Sequence, residues 1–251
     1  MLDGKSILAL ITAKGTSEGL PGKNIRPLLG KPMVAWSIDV ARQCPYVDAV
    51  VVSTDSEEIA EIARTHGAEV PFLRPAHLAS ATASSFDVVE HAINFYRTEK
   101  NPTFDYLLLL EPTSPLRELS DVNEALERLV RTPEADSIVG VSEAVSAHPA
   151  FTVAVSPEGY LSSLFDADGK SGHQNESGVV LRRQDLKPAF FFEGTLYASK
   201  VSAYLEKRTF YHDTTLAHIV PKWKSPEVDD IYDFLTVEAM MRHFPDRYPA
   251  S

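Results

Sequence analysis

The sequence predicts an α/β fold, a three-layer sandwich of helices around a mostly parallel sheet. Three observations carry the prediction. Short continuous apolar runs, such as Ala49-Val50-Val51-Val52-Ser53, read as strands buried on both faces. Helical patterns alternate with these runs through the first half, as in βαβ units. Loops rich in glycine, hydroxyls or charge follow the strands, and open α/β sheets bind ligands beyond the carboxyl ends of their strands.

The elements follow in order. Ser6 to Ile11 is a buried strand, and Pro32 to Gln43 a helix with Met33, Trp36, Ile38 and Val40 among its apolar positions. Ala49 to Ser53 is the second strand. Glu57 to His66 is a helix with Ile59, Ile62 and Ala63 on one face, stopped by Gly67. Val70-Pro71-Phe72 is a short extended piece. Ser84 to Arg97 is amphipathic, with Val88, Ile93 and Phe95 facing inward. Tyr106 to Leu110 is another buried strand. A helix over Leu119 to Val130, started by Ser120 or Asp121, and a strand from Ser137 to Val141 follow. Residues 143–190 break the pattern with Pro149, Pro157, Gly159, Gly169, Gly172 and Gly178 among short alternating pieces, which predicts an antiparallel excursion. Strand character returns at Gly194 to Ala198, and a helix over Ile231 to His243 ends the chain. We read 1–251 as one domain that contains the excursion.

Composition excludes several classes. At 44% hydrophobic and 24% charged residues the chain is globular, not disordered. A single cysteine, Cys44, rules out an intrachain disulfide and reads as a packing residue. The N-terminus lacks the basic-then-apolar order of a signal peptide, and the run Ile7 to Ile11 is too short to span a bilayer. A cytoplasmic protein without membrane contact is expected. The net charge of −11 argues against nucleic acid as a partner. An anionic small substrate needs locally concentrated positive charge, and the first loop has it.

That loop, Thr12 to Asn24, follows the first strand and holds three glycines, hydroxyls, Lys14 and Lys23, with Arg26 and Lys31 just beyond. Glycine lets backbone N–H groups approach phosphate oxygens. It is not a Walker loop, because Gly22-Lys23 is followed by Asn24. Glu111-Pro112-Thr113-Ser114-Pro115-Leu116-Arg117 ends a strand in a turn made rigid by two prolines, which aims Thr113, Ser114 and Arg117. Glu227 and Asp229 are two apart, so on extended backbone both carboxylates face one side, a pattern suited to a hard cation shared with phosphates. Asp230 reads as the cap of the last helix. The eight histidines show no metal-binding spacing, and no Ser-His-Asp or Cys-His arrangement is legible.

The stretch ITAKGTSEGLPGKNIRPLLGKPMVAWSI resembles the signature loop of the acylneuraminate cytidylyltransferases, the CMP-sialic acid synthetases. VVVSTDSEEIAEIARTHGAEVPFLRPAHLA, TASSFDVVEHAI, EPTSPLR, RRQDL, EGTLYAS and SPEVDDIYDF match in the same order, so the likeness covers residues 7–234. TASSFDVV and RRQDL most resemble the branch acting on bacterial nonulosonic acids of the legionaminic or neuraminic type. The resemblance implies a Rossmann-like nucleotidyltransferase that transfers the cytidylyl group of CTP to the anomeric hydroxyl of a nonulosonic acid with Mg2+, and a homodimer formed through the excursion. It places CTP against Ala13, Lys14, Gly15, Ser17, Lys23, Asn24, Arg74, Thr82 and Ser84. It places the sugar acid against Glu111, Thr113, Ser114, Arg183, Gln184 and Glu193, and the metal on Glu227 and Asp229. Lys14, Lys23 and Asp229 are the implied catalytic residues. Five positions depart from the family pattern: Lys14 stands for arginine, Glu18 for lysine, Glu111 for glutamine, Glu193 for asparagine and Glu227 for aspartate. A 3-deoxy-manno-octulosonate enzyme of the same fold, or a non-catalytic nucleotide-sugar binding homologue, are the alternatives.

Overall fold

The structure is a computed structural model and describes residues 1–80, 82–100, 103–145, 147–163, 184 and 186–249. Its contacts divide the chain into two units, Met1–Gly140 with Glu193–Ser251, and Val141–Phe192.

In the first unit the apolar runs become the middle of a six-stranded sheet. The elements are β1 (Ile7–Thr12), a small hairpin of β2 (Pro27–Leu28) and β3 (Lys31–Pro32), α1 (Met33–Gln43), β4 (Ala49–Ser53), α2 (Glu57–Thr65), α3 (Ser85–Phe95), β5 (Tyr106–Leu109), α4 (Leu119–Val130) and β6 (Ser137–Glu143). After the excursion come β9 (Phe190–Lys200), α5 (Val201–Lys207), β10 (Thr215–Val220) and α6 (Ile231–His243). The strand order is β10-β6-β9-β5-β1-β4. β1 pairs in parallel with β4 and β5, with Leu10 opposite both Val51 and Leu109. β9 runs antiparallel to β5.

Both faces of β1 are buried, as its unbroken apolar run requires. Ile7, Ala9 and Ile11 join one core with Val34 and Ile38 of α1, Ile59 and Ala63 of α2, and Val122, Ala125 and Leu129 of α4. Leu8, of opposite parity, lies beside Ile93 of α3 along one cavity wall. A second core joins Met33 and Trp36 of α1 to Leu116, Val228 and, on α6, Phe234, Val237 and Met241. Cys44 is buried in the first core, in the packing role expected of it. Among the described residues no helix is long and apolar enough to cross a membrane.

Two details correct the sequence reading. α4 spans Leu119–Val130 as read, but its cap is Glu118 and not Ser120 or Asp121; Asp121 instead reaches back to accept from the Glu118 N–H at 2.8 Å. The last strand before α5 is also longer than Gly194 to Ala198. Asp230 does cap α6, its Oδ1 accepting from the N–H groups of Tyr232 and Asp233.

Among its described residues the second unit holds an antiparallel hairpin, β7 (Val153–Val155) with β8 (Leu161–Ser163). The turn between them closes with Ser156 N–H on the Tyr160 carbonyl and Gly159 N–H on the Ser156 carbonyl. Leu164, Phe165 and Arg183 lie outside the described residues.

Candidate active site

The parallel strands deliver their carboxyl ends to one cleft of about 410 Å³ in the first unit. Its walls include Thr12 at the end of β1, Lys14, Lys23 and Asn24 of the first loop, Arg74, Glu111 and Thr113 after β5, and Glu227 and Asp229 ahead of α6. Segments far apart in sequence thus converge on one site.

The first loop is held by hydrogen bonds at both ends. The Ala13 N–H donates to the Ser53 carbonyl at 3.0 Å, and Gly15 N–H to Asp55 Oδ1 at 2.8 Å. Asn24 Nδ2 returns to the Lys14 carbonyl at 2.9 Å, which closes the loop on itself. Lys23 Nζ reaches the Val228 carbonyl and Asp229 Oδ1, both at 3.0 Å. Gly19 packs so tightly that a Cβ there would lie 2.4 Å from the Asp229 carbonyl oxygen. Loop and carboxylate segment are therefore one packed assembly.

Arg74 is buried. Its Nε donates to Ser53 Oγ at 3.2 Å and its Nη2 to the Ser53 carbonyl, while its edge still lines the cleft. Burial pulls its pKa down, and the Asp55 charge opposes that shift.

The 227–229 segment shows how sequence alternation becomes a site. Val228 is fully buried in the second core, and its N–H donates to the Thr113 carbonyl at 2.8 Å. Its neighbours Glu227 and Asp229 both line the cleft. Glu227 Oε1 accepts from the Gly194 N–H at 2.8 Å, whereas the Asp229 side chain is 80% exposed. Burial raises the Glu111 pKa to about 7, and the nearby charges of Glu227 and Asp229 add to the rise. Burial also raises that of Glu227, against the Gly194 hydrogen bond.

Other expected site residues stand elsewhere. Ala13 and Ser114 are buried, so only their backbones or a rearrangement could serve a ligand. Glu193, expected at the sugar, is 1% exposed inside the sheet, where Oε2 accepts from the N–H and Oγ1 of Thr195. β9 is buried without a break from Glu193 to Leu196, so the side chain is enclosed there. Ser84 is outside the cleft lining and serves as the α3 cap, accepting from Asp87 N–H at 3.1 Å. Ser80, Ala83 and Ser85 line the cleft instead. Thr82 is exposed and bonded to Ser80, and Ser17 is half-buried; neither is among the lining residues. Gln184 is exposed in the second unit.

Two contributors, Asp55 and Lys224, escaped the sequence reading, and a third, Arg117, points the other way from what was expected. Asp55, just after β4, braces the first loop at Gly15. Its only signal was its place beyond a strand end. Arg117, expected to be aimed with Thr113, turns inward and bonds backbone carbonyls. Lys224 is buried between Asp121, at 2.9 Å, and Glu118, and ties the approach to Glu227 onto α4.

Comparison with known proteins places this geometry. The family model for cytidylyltransferases matches residues 8–225. The chain belongs to the cytidylyltransferase family. This cytidylyltransferase-family chain is 34% identical over 232 residues to the N-acylneuraminate cytidylyltransferase of Streptococcus agalactiae serotype V, across 92% of this chain and 52% of that one. It thus spans about half the length of the streptococcal relative. It is 32% identical to the CMP-N,N'-diacetyllegionaminic acid synthase of Legionella pneumophila, across 94% of this chain and 96% of that one. A solved CMP:2-keto-3-deoxy-manno-octonic acid synthetase complexed with CTP shares the fold, with a TM-score of 0.68 at 18% identity over 95% of this chain and 99% of that one.

Proposed function

We propose that this protein transfers the cytidylyl group of CTP to a nonulosonic acid of the neuraminic or legionaminic type, releasing pyrophosphate. The observation that carries the reading is the convergence of the first loop and the Glu227–Asp229 pair on one cleft at the strand ends. Similarity to the Legionella synthase over nearly its full length supports the substrate class.

The residues divide the work. Lys14 and Lys23 balance the triphosphate charge, Asn24 keeps the loop closed around it, and Arg74 bounds the nucleotide end. Glu111 and Thr113 face the side left for the sugar. Burial holds the Glu111 carboxyl above the ordinary carboxylate range, which suits it to hydrogen bonding with sugar hydroxyls. Arg183 and Gln184 are proposed for the sugar carboxylate.

A hard divalent cation fits the donor set. Glu227 and Asp229 offer oxygen ligands, and the penalty their charges impose on Glu111 is relieved by a cation. Among the described residues no group of three or more His, Cys, Asp or Glu forms a complete cage. Mg2+ usually binds through one or two carboxylates and completes its shell with phosphate and water. When bound, the ion would neutralise phosphate charge and acidify the attacking hydroxyl. Lys23 already holds Asp229 Oδ1, so it orients that carboxylate for the task.

A homodimer is part of the proposal. Val155, Tyr160, Leu161, Phe190 and Phe191 of the second unit are exposed large apolar residues that a partner copy would cover. The deciding experiment measures pyrophosphate release from CTP with a panel of neuraminic, legionaminic and pseudaminic acids and 3-deoxy-manno-octulosonate. Turnover with a nonulosonic acid is expected. Release with the octulosonate alone, or with no acceptor, refutes the reading. Light scattering that finds only monomer at micromolar concentration refutes the dimer.

A further inference from the structure

We propose that Arg117 is a positioning residue for the reaction, fixing the cleft carboxylates Glu111 and Glu227 through the backbone beside them. The proposal rests on the cytidylyl-transfer reading above. Arg117 does not line the cleft and is 3% exposed, so it acts only through other groups.

Its guanidinium spans three segments. Nη1 donates to Ser37 Oγ of α1 at 2.9 Å. Nη2 donates to the carbonyls of Glu111 at 2.9 Å and Gly194 at 3.1 Å, and Nε to the carbonyl of Thr195. Ser37 Oγ itself donates to the Glu111 carbonyl at 3.2 Å. None of these acceptors is a carboxylate. Burying a cation is costly, and the nearby charges of Glu193 and Glu111 partly offset that cost without taking a hydrogen bond from it. What a neutral side chain lacks is a rigid fork of donors that can hold three backbone segments at once.

The two residues clamped by Nη2 lead directly to the cleft. Glu111 carries its own side chain into it. Gly194 grips Glu227: its N–H donates to Oε1, and a Cβ on it would lie 2.7 Å from Glu227 Oε2 and 2.5 Å from Ser114 Oγ. The Glu227 carboxylate therefore rests on the Gly194 backbone, and a shift of Gly194 shifts the carboxylate with it. One buried guanidinium thus sets the spacing of two carboxylates that come from segments more than a hundred residues apart.

Arg117→Lys keeps the charge and removes the fork. Leu129→Ala, in the core of α4, serves as a control that lowers stability without touching this network. Each variant is measured for thermal midpoint, for kcat and KM with CTP, and for Mn2+ affinity in the presence of CTP without sugar, from the free-Mn2+ paramagnetic signal. Arg117→Lys is expected to lower kcat and Mn2+ affinity by roughly 10- to 100-fold, as losses of supporting hydrogen bonds around metal ligands do. KM for CTP should stay within about threefold. Leu129→Ala should lose thermal stability alone. An Arg117→Lys protein that loses stability but keeps kcat and Mn2+ affinity overturns the proposal. If Arg117→Lys does not fold, Ser37→Ala removes one anchor of the fork and must show the same pattern to a smaller degree; wild-type values there overturn it equally. A wild-type protein without turnover sinks the functional reading, and the Mn2+ measurement then decides the role of Arg117 by itself.

Discussion

Replacing Glu193 by glutamine tests the electrostatics of the sheet interior. The carboxyl is almost wholly buried, and one of its oxygens, Oε1, has no hydrogen-bond partner. Burial raises its pKa from the ordinary 4.5 to about 7; the two bonds from Thr195 oppose the rise, and the Glu227 charge adds to it. The folded state therefore holds a proton that the unfolded chain releases. Stability from this group is intact below about pH 4.5, falls as pH rises towards 7, and is flat above. Between pH 5 and pH 8 the loss is about 2–3 kcal/mol. Glutamine cannot ionise, so Glu193→Gln should gain that amount on wild type over the same interval, roughly 5–10 °C in thermal midpoint for a chain of this size. Any fixed cost of placing the amide cancels when the two pH values are compared. Glu111 contributes a slope of the same sign in both proteins and cancels as well. Thermal unfolding of both proteins at pH 5 and pH 8 is the assay. A difference between them that does not change with pH refutes the reasoning.

Lys23→Ala should lower kcat/KM for CTP by roughly ten- to a hundredfold, the worth of a charge-assisted phosphate contact, and unchanged CTP kinetics would remove Lys23 from the triphosphate site. Asp229→Asn should nearly abolish turnover while leaving the thermal midpoint near wild type, because its side chain is largely exposed; retained turnover after chelation of divalent cations would sink the metal assignment. Gly19→Ala should push the first loop off the Asp229 carbonyl, and steady-state kinetics should show at least about a tenfold fall in kcat/KM with the fold retained. Lys224→Met removes the buried cation from Asp121, which keeps the Glu118 N–H and the nearby His218, and from Glu118, which keeps Arg247; denaturant unfolding should show a loss of about 1.5–3 kcal/mol, the worth of a charged hydrogen bond.

The sheet was legible wherever burial was two-sided. β4 and α4 were read to the residue and β1 and β5 to within one, because unbroken apolar runs and 3.6-residue spacing leave little choice. β9 was read short at its start, since Phe190 to Phe192 are exposed and Glu193 interrupts the apolar pattern. β10 was missed: its alternation puts His218 and Val220 inside and Ile219 outside, a weak signal in six residues. At the site, sequence located the loops but not the direction of each side chain. Position beyond a strand end brought Lys14, Lys23, Glu111 and Asp229 to the cleft. The same argument also nominated Ser114, and the family resemblance nominated Glu193; both side chains are buried. Arg117 was hidden for a related reason, as a charged residue in a tight turn reads as exposed unless the carbonyls that surround it are known.

The strand order dictates a schedule for the ribosome. β1, β4 and β5 can pair as soon as residue 109 has emerged, in parallel ladders closed by α1 to α3. β6 has no such option, because both its neighbours, β9 and β10, begin at residue 190 or later. At roughly 5–20 residues per second, an apolar strand waits several seconds beside a half-built sheet. During that time the outer edge of β5 is also open, since β9 must later insert between β5 and β6. Nascent chains stalled shortly before residue 190 should therefore be the ones that chaperones hold longest, and chains stalled past residue 220 should be released.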